Sequence, residues 1–386
     1  MDINWDLLTP QQQEAVLNKP LAKAPPGFVS RVGQPRDLNV TTISLAVASQ
    51  VLVTVLFLLR VYARVVYVKK FRTEDVFGLI SFLASIVHIY TIIQMDVNPG
   101  TFMYSWDYRI RDLEPFWKNF IVLRIFYAIN LAFAKNAILL EWIHIFVPLP
   151  RRNAFFWICV ALMVVNTGLY VGAIIATCVT TLPIEAAWKP WIKGRTLVDR
   201  QISDTTTVSF NLLIDILILI LPQMVIWKLK MNAPRKIGLS ILFCLGIATC
   251  IFAGGRVYKT STVHKAIDRL YNVPIIILWG LGESTLAMVV FCVPAIPKLF
   301  SGQSSGVLSK FKASLQSWAA IATGSNRSQS KPDQSGQQSW PAANTNKFYH
   351  KMQDGSSEVA LTDLGNREDD AVSSRRMDPV HHNSRA

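Results

Sequence analysis

The sequence predicts an all-α, polytopic membrane protein built as a seven-transmembrane helix bundle, and three observations carry that class. Hydrophobic residues fill 51% of the 386 positions and charged residues only 17%, where a soluble domain carries about a quarter. The mean hydropathy is +0.31. The apolar residues are gathered into stretches of roughly 20, the length that crosses a ~30 Å hydrocarbon core as a helix. In that core each backbone N–H and C=O must be paired, and a helix pairs them within its own segment.

Taken in order, residues 1–37 hold Pro10, Pro20, Pro25, Pro26 and Pro35 among scattered charges and read as a poorly ordered outer arm. They contain no apolar leader, so the first span is expected to act as its own insertion signal. The bundle occupies 38–300, with spans at about 42–66, 75–95, 117–147, 154–180, 205–229, 237–258 and 273–297. The connections after the first, third and fifth spans are short and basic: Lys69, Lys70 and Arg72, then Arg151 and Arg152, then Lys228, Lys230, Arg235 and Lys236. Dense Lys and Arg in short loops mark the cytoplasmic side. The N-terminus is therefore expected outside and the C-terminus in the cytoplasm, in the plasma membrane. The other connections are longer and mix their basic residues with Asp96, Asp107, Asp112, Glu114, Glu185, Asp199, Asp204 and Asp268.

Gly168 and Gly172 in the fourth span form a small-xxx-small pattern, which serves either a dimer contact or close packing inside the bundle. Tyr104, Trp106, Tyr108, Trp117, Trp188 and Trp191 on one side, and Trp142, Phe155, Phe156, Trp157 and Trp227 on the other, read as interfacial anchors. Beyond the bundle, Leu308, Phe311, Leu315 and Trp318 share one helical face, so 301–322 reads as an interfacial amphipathic helix. Residues 323–386 are rich in Ser, Gln, Asn and Asp and read as a disordered cytoplasmic tail. The five cysteines, Cys159, Cys178, Cys244, Cys250 and Cys292, lie in or at the ends of spans and do not form a disulfide framework. The sequon at Asn39 abuts the first span, too close to the bilayer for use.

The polar residues inside the spans point to function. An ionised group at mid-depth costs roughly 2.5–3.5 kcal/mol on insertion scales, so it faces the bundle and finds a partner. In the third span Arg124 and Lys135 are eleven residues apart, three turns and 20°, and so share a face; Asn136 follows. Asp215 in the fifth span, with Asn211 one turn earlier, and Glu283 in the seventh, with Trp279 one turn earlier, are the candidate counter-charges. The third, fifth and seventh spans are thus expected to form a central polar core. It serves either to bind a ligand or only to fix helix register. Near the inner end, Arg60, Arg64, Glu74 and Asp75 form a charge cluster, either a switch or side chains snorkelled to the interface.

Several chemistries are excluded. A retinal protein needs a lysine in the middle of its last helix, and 273–297 has none. A zinc hydrolase needs converging histidines, but only His88 is well inside a span. No nucleophile–base spacing or phosphate loop occurs, so no enzyme activity, cofactor or metal is expected. The net charge of +14 comes with no nucleic-acid motif and is assigned to helix ends meeting anionic headgroups. The receptor signatures of rhodopsin type, a DRY after the third span and an NP motif closing the seventh, are missing.

RVYARVVYVKKFRTEDVF, AKNAILLEWIHIF, CVTTLPIEAAW, NLLIDILILILPQMVIWKL and WGLGES, in this order, resemble the fungal rhodopsin-like seven-helix domain. That family includes satratoxin-cluster integral membrane proteins and receptor-like proteins of appressorium signalling. The resemblance marks Arg60, Arg64, Asp75, Lys135, Trp188, Asn211, Asp215, Pro222, Trp227, Trp279 and Glu283 as family-type residues. Departures are Glu74 in place of an aspartate, NPGT at 98–101 in place of a Gly-x-Gly-His stretch, and the absence of a second cysteine near Gly194. The resemblance implies a receptor-like or cluster-associated role. The expected function is a receptor-like protein whose central polar residues sense a small molecule and pass the signal to the cytoplasmic loops and tail and a cytoplasmic partner. The alternative is an accessory or transport protein of a secondary-metabolite gene cluster.

Overall fold

The computed structural model describes residues 8–27, 38–147, 153–189, 191–192, 194–226, 233–266 and 268–295. Among them, seven helices are long and apolar enough to cross a membrane. After a short helix α1 (Pro10–Leu17) come α2 (Leu38–Tyr62), α3 (Thr73–Val97), α4 (Leu113–Phe146), α5 (Ala154–Val179), α6 (Arg200–Ile226), α7 (Ala233–Thr262) and α8 (Arg269–Cys292). A two-residue antiparallel pair, Thr181–Leu182 with Arg195–Thr196, ties the α5–α6 connection. The class is all-α, as the hydropathy predicts. The expected interfacial helix at 301–322, the tail at 323–386, Trp227, and the basic residues at 151, 152, 228 and 230 lie outside the described residues.

Burial ranks the helices. In their most apolar stretches 61% of α4 and of α8 is buried inside the protein, against 17% for α5 and 11% for α7. The third and seventh spans are therefore the axis of the bundle, and the fourth and sixth are peripheral. The outward residues of α2 and α5 are apolar, among them Val51, Val55, Leu58, Val164, Val165 and Ile175, as a lipid-facing surface requires. Gly168 and Gly172 lie on this outer face with no neighbouring atom where a Cβ would stand; packing inside the bundle is not their role. Gly78 of α3 does allow a close approach. A Cβ there would overlap the ring of Phe291 on α8, whose carbonyl takes part in the charge cluster described below.

Helix ends differ from the hydropathy boundaries where polar chemistry sets them. α4 has 34 residues, about 51 Å at 1.5 Å per residue, and starts before the apolar run because Leu113 and Phe116 are buried under the adjoining loop. α8 starts at Arg269, where the Asp268 carboxylate accepts from the backbone N–H of Leu270 at 2.9 Å and of Tyr271 at 3.4 Å, an N-cap. α2 closes in a π-helical turn, Ala63–Val68, a rare geometry. It ends at Lys69, whose φ is 50° and whose N–H reaches the Arg64 carbonyl at 2.9 Å.

One end of the bundle is capped. The 98–112 connection folds over the helix ends. Phe102 N–H donates to the Asn39 side chain at 3.2 Å, and Ser105 donates from N–H and Oγ to Asp268 at 2.6 and 2.7 Å. Tyr104 stacks between Trp106 and Tyr271 at 4.5 and 4.6 Å. The N-terminal segment joins this cap: Leu21 N–H donates to Tyr108 O at 2.9 Å and Ile110 N–H to Lys19 O at 3.1 Å. Residues 8–27 thus hold defined structure where a poorly ordered arm was expected, because their backbone finds partners in the loop. Trp106 and Tyr108 are buried and serve as core of the cap, not as interfacial anchors. Asn39, the sequon residue, is buried too.

Candidate functional site

At mid-depth the side chains of five helices meet. Lys135 Nζ on α4 lies 2.7 Å from Asp215 Oδ1 on α6 and donates to Asn211 Oδ1 at 2.6 Å. Asn211 Nδ2 donates to Glu283 Oε1 on α8 at 2.6 Å. The other oxygen of Glu283 accepts from Tyr127 OH at 2.7 Å and lies 3.4 Å from Arg256 Nη1 on α7. Tyr170 OH of α5 donates to Asn211 Oδ1 at 2.5 Å. Lys135, Asn211, Asp215 and Glu283 are each at most 6% exposed. The two cations, Lys135 and Arg256, balance the two carboxylates, so the network carries no net buried charge.

The structure thus brings Lys135, Asn211, Asp215 and Glu283 together and leaves three expected members elsewhere. Arg124 forms a two-pronged pair with Asp204, with Nη1 to Oδ2 at 2.8 Å, near the capped end. Sharing a face with Lys135 is not sharing a depth: eleven residues displace Arg124 by about 16.5 Å along the axis. Asp204 and Asp215 are also eleven residues apart, and α6 runs in the same direction as α4, so the two pairs form two rungs in register. Asn136, turned 100° from Lys135, faces α5 instead, donating to Thr167 Oγ1 at 2.9 Å and accepting from Asn166 Nδ2 at 3.0 Å. Trp279 packs edge-on against Phe252, centroids 5.5 Å apart, and above Gly255; no hydrogen bond ties it to the network.

Arg256 was missed because hydropathy ends the sixth span at 258, which places Arg256 at an interface. α7 continues to Thr262 and carries it inside. Charge arithmetic was the available signal: once Arg124 is satisfied by Asp204, Lys135 alone leaves two carboxylates one cation short.

A second cluster lies toward the opposite end. Arg60 contacts Asp75 at 3.1 Å and Glu141 at 2.5 Å and donates to Phe291 O at 2.6 Å. Its guanidinium stands 3.7 Å over the Phe291 ring. Arg64 contacts Glu74, Asp75 and Glu141 at 3.0, 3.1 and 3.0 Å, and Arg72 lies 3.6 Å from Glu74. Arg60 and Arg64 are 2% exposed, so the reading of chains snorkelled to the interface is corrected: they are buried and bind α2, α3, α4 and α8 together. Glu141 is the residue the sequence reading passed over. Arg60, Arg64 and Arg72 against Glu74 and Asp75 leave one cation over, and Glu141 makes the count three to three.

Between these clusters an open, shallow cleft is lined by Ile138, Trp142, Ile218, Leu242, Phe243 and Thr249, with Lys135 and Asp215 at one side. With Ala287 and Val290 of α8, they lie on the stretches of α4, α6, α7 and α8 away from the cap, and Thr249 lies at the middle of α7. Trp142, 6% exposed, lines this cleft and is not an interfacial anchor. Among the described residues, Asp215 Oδ2 has no hydrogen-bond partner. Pro222, also lining the cleft, lacks the N–H that would pair the Ile218 carbonyl in its helix. No described group of His, Cys, Asp and Glu is arranged to hold a metal ion. The cleft thus has apolar walls with a few polar groups at one side.

The profile of the fungal rhodopsin domain family matches residues 59–302. Fugralins biosynthesis cluster protein 2 of Gibberella zeae is 32% identical over 298 residues, 77% of this chain and 74% of that protein. A SAT4 family membrane protein of Emericella nidulans is 25% identical over 189 residues, 49% of this chain and 47% of that one. Receptor GIN3 of Arthrobotrys oligospora is 21% identical over 295 residues, 76% and 70% of the two chains.

Proposed function

The chain belongs to the fungal rhodopsin domain family, and from that premise we propose that it is a receptor-like, non-enzymatic membrane protein that binds a small molecule beside Lys135 and Asp215. One observation carries the reading: the cleft ends on a buried polar network that joins α4, α5, α6, α7 and α8. A ligand that engages Asp215 alters contacts on all five helices at once, which is how binding biases a bundle between two arrangements. The likeness to Receptor GIN3 supports a receptor role.

The basic connection at 69–72 supports an orientation with the cap outside and the Arg60 cluster near the cytoplasmic face, in the plasma membrane, where a signalling partner would read the change. In a cysteine-free background, an impermeant maleimide applied to intact cells should label Leu197→Cys and spare Lys70→Cys. The reverse pattern rejects the orientation.

Filling the cleft tests the function. Thr249 Oγ1 bonds only the carbonyl of Leu245 in its own helix, at 3.0 Å, so Thr249→Leu adds volume without stranding a partner. In a deletion strain, the wild-type gene should restore a second-messenger transient on addition of the organism's own culture extract, and Thr249→Leu should cut that transient at least fivefold at equal membrane level. The second reading, handling of a cluster metabolite, is favoured by the likeness to a biosynthesis cluster protein. It predicts a changed metabolite titre with no second-messenger response.

A further inference from the structure

We propose that the cleft takes a neutral, largely apolar molecule bearing a hydroxyl, a phenol or an alcohol, whose O–H donates to Asp215 Oδ2. The proposal rests on the ligand-binding reading above and names the chemistry of its ligand.

Charge sets the first condition. Lys135 and Arg256 already balance Asp215 and Glu283, and all four side chains are at most 17% exposed. A cationic or anionic ligand would add an uncompensated charge at a depth where a lone ion is strongly disfavoured. A neutral ligand adds none.

Hydrogen bonding sets the second. Oδ1 of Asp215 is held by Lys135 at 2.7 Å, whereas Oδ2 is buried without a partner, and a ligand in the cleft meets it through a turn of the carboxylate. A carboxylate oxygen only accepts, so the missing partner is a donor. The Ile218 carbonyl, deprived of its helical donor by Pro222, is an acceptor beside the same cleft. A ketone, ether or ester offers no donor and would leave the carboxylate oxygen unmet, whereas a hydroxyl satisfies it.

The walls set the third. Ile138, Trp142, Ile218, Leu219, Leu242 and Phe243 are apolar or aromatic, and a body matching them gains from the apolar surface it buries. The capped end is closed by the 98–112 loop, and the cleft lies in the other half of the bundle. The molecule therefore arrives through the bilayer or from the side away from the cap. Two sources share this chemistry: a membrane lipid with a free hydroxyl, such as a sterol, and a hydroxylated metabolite.

The experiment uses the full chain in discs of synthetic phosphatidylcholine, with 4-nonylphenol, its methyl ether, nonylamine and nonanoate as probes. Binding is read from the shift in unfolding midpoint against probe concentration in the lipid. The phenol should bind at least tenfold more tightly than the ether, and the amine and carboxylate more weakly than either. The paired variant Lys135→Met/Asp215→Leu, which preserves charge balance, should erase the phenol–ether gap while keeping ether binding. Equal affinity of phenol and ether in wild type, tighter binding of a charged probe, or a gap that survives in the paired variant overturns the proposal. If phenol and ether bind equally and Thr249→Leu weakens both, the donor class falls while the cleft stands as the site. If no probe binds, or Thr249→Leu changes nothing, the ligand-binding reading itself falls. Including a sterol in the discs separates the sources: a tenfold loss of phenol binding identifies a lipid occupant, and an unchanged affinity identifies a metabolite, each consistent with the hydroxyl chemistry.

Discussion

Lys135→Met is expected to destabilise the bundle by about 3–5 kcal/mol, the cost of leaving one member of a buried ion pair alone. The methionine fills most of the space, so the loss is electrostatic. Asp215 keeps no cation, Glu283 retains only Arg256, and Asn211 Oδ1 retains only the hydrogen bond from Tyr170. Lys135→Met/Asp215→Leu should recover most of the loss, since apolar replacement of a whole buried pair is often neutral. Titration with sodium dodecyl sulfate in mixed micelles, followed by tryptophan fluorescence, gives the midpoints for the double-mutant cycle. If the double variant is as unstable as the sum of the two single ones, Lys135 and Asp215 are not coupled and the central network is misassigned.

Arg60→Met should cost a similar amount, about 3–5 kcal/mol, for a related reason. Glu74, Asp75 and Glu141 would then face Arg64 and the partly exposed Arg72 alone, and Phe291 O would lose its donor. Arg60→Lys is the sharper test. A guanidinium donates in a planar fork and reaches Asp75, Glu141 and Phe291 O together, whereas an ammonium is a point charge on a flexible stem. Lysine should therefore recover less than half of the loss in the same titration. Full recovery would show that Arg60 acts through charge alone and that the fork geometry is incidental.

The two clusters also show what can be read along a chain. Arg60, Arg64, Glu74 and Asp75 were grouped because α2 and α3 are joined by a short connection, and residues close to one short loop stay close in space. Glu141 belongs to the same group but lies 66 positions beyond Asp75, and only the packing of α4 against α3 delivers it. Lys135, Asp215 and Glu283 were paired across the bundle from depth alone, since an ionised group in hydrocarbon has few other places to go. Arg124 shows the limit of that reasoning. Its face was right, but its height matches Asp204, which hydropathy had left outside the fifth span.

The sequence by itself determined the number of helices and the inward turn of their ionised residues, because the cost of exposing a peptide group or a charge to acyl chains is local and large. The tertiary structure alone decided which helices are central, that the N-terminal segment joins the cap, and which cation meets which carboxylate. These depend on where each helix begins, and the starts of α4 and α8 are set by a cap and loop contacts that hydropathy does not register. A shift of one turn, about 5.4 Å, would break both rungs, and the hydropathy pattern records no preference between the two registers. The cleft beside Asp215 is likewise bounded by residues of α4, α6, α7 and α8, and the space left between four helices is a property of their packing.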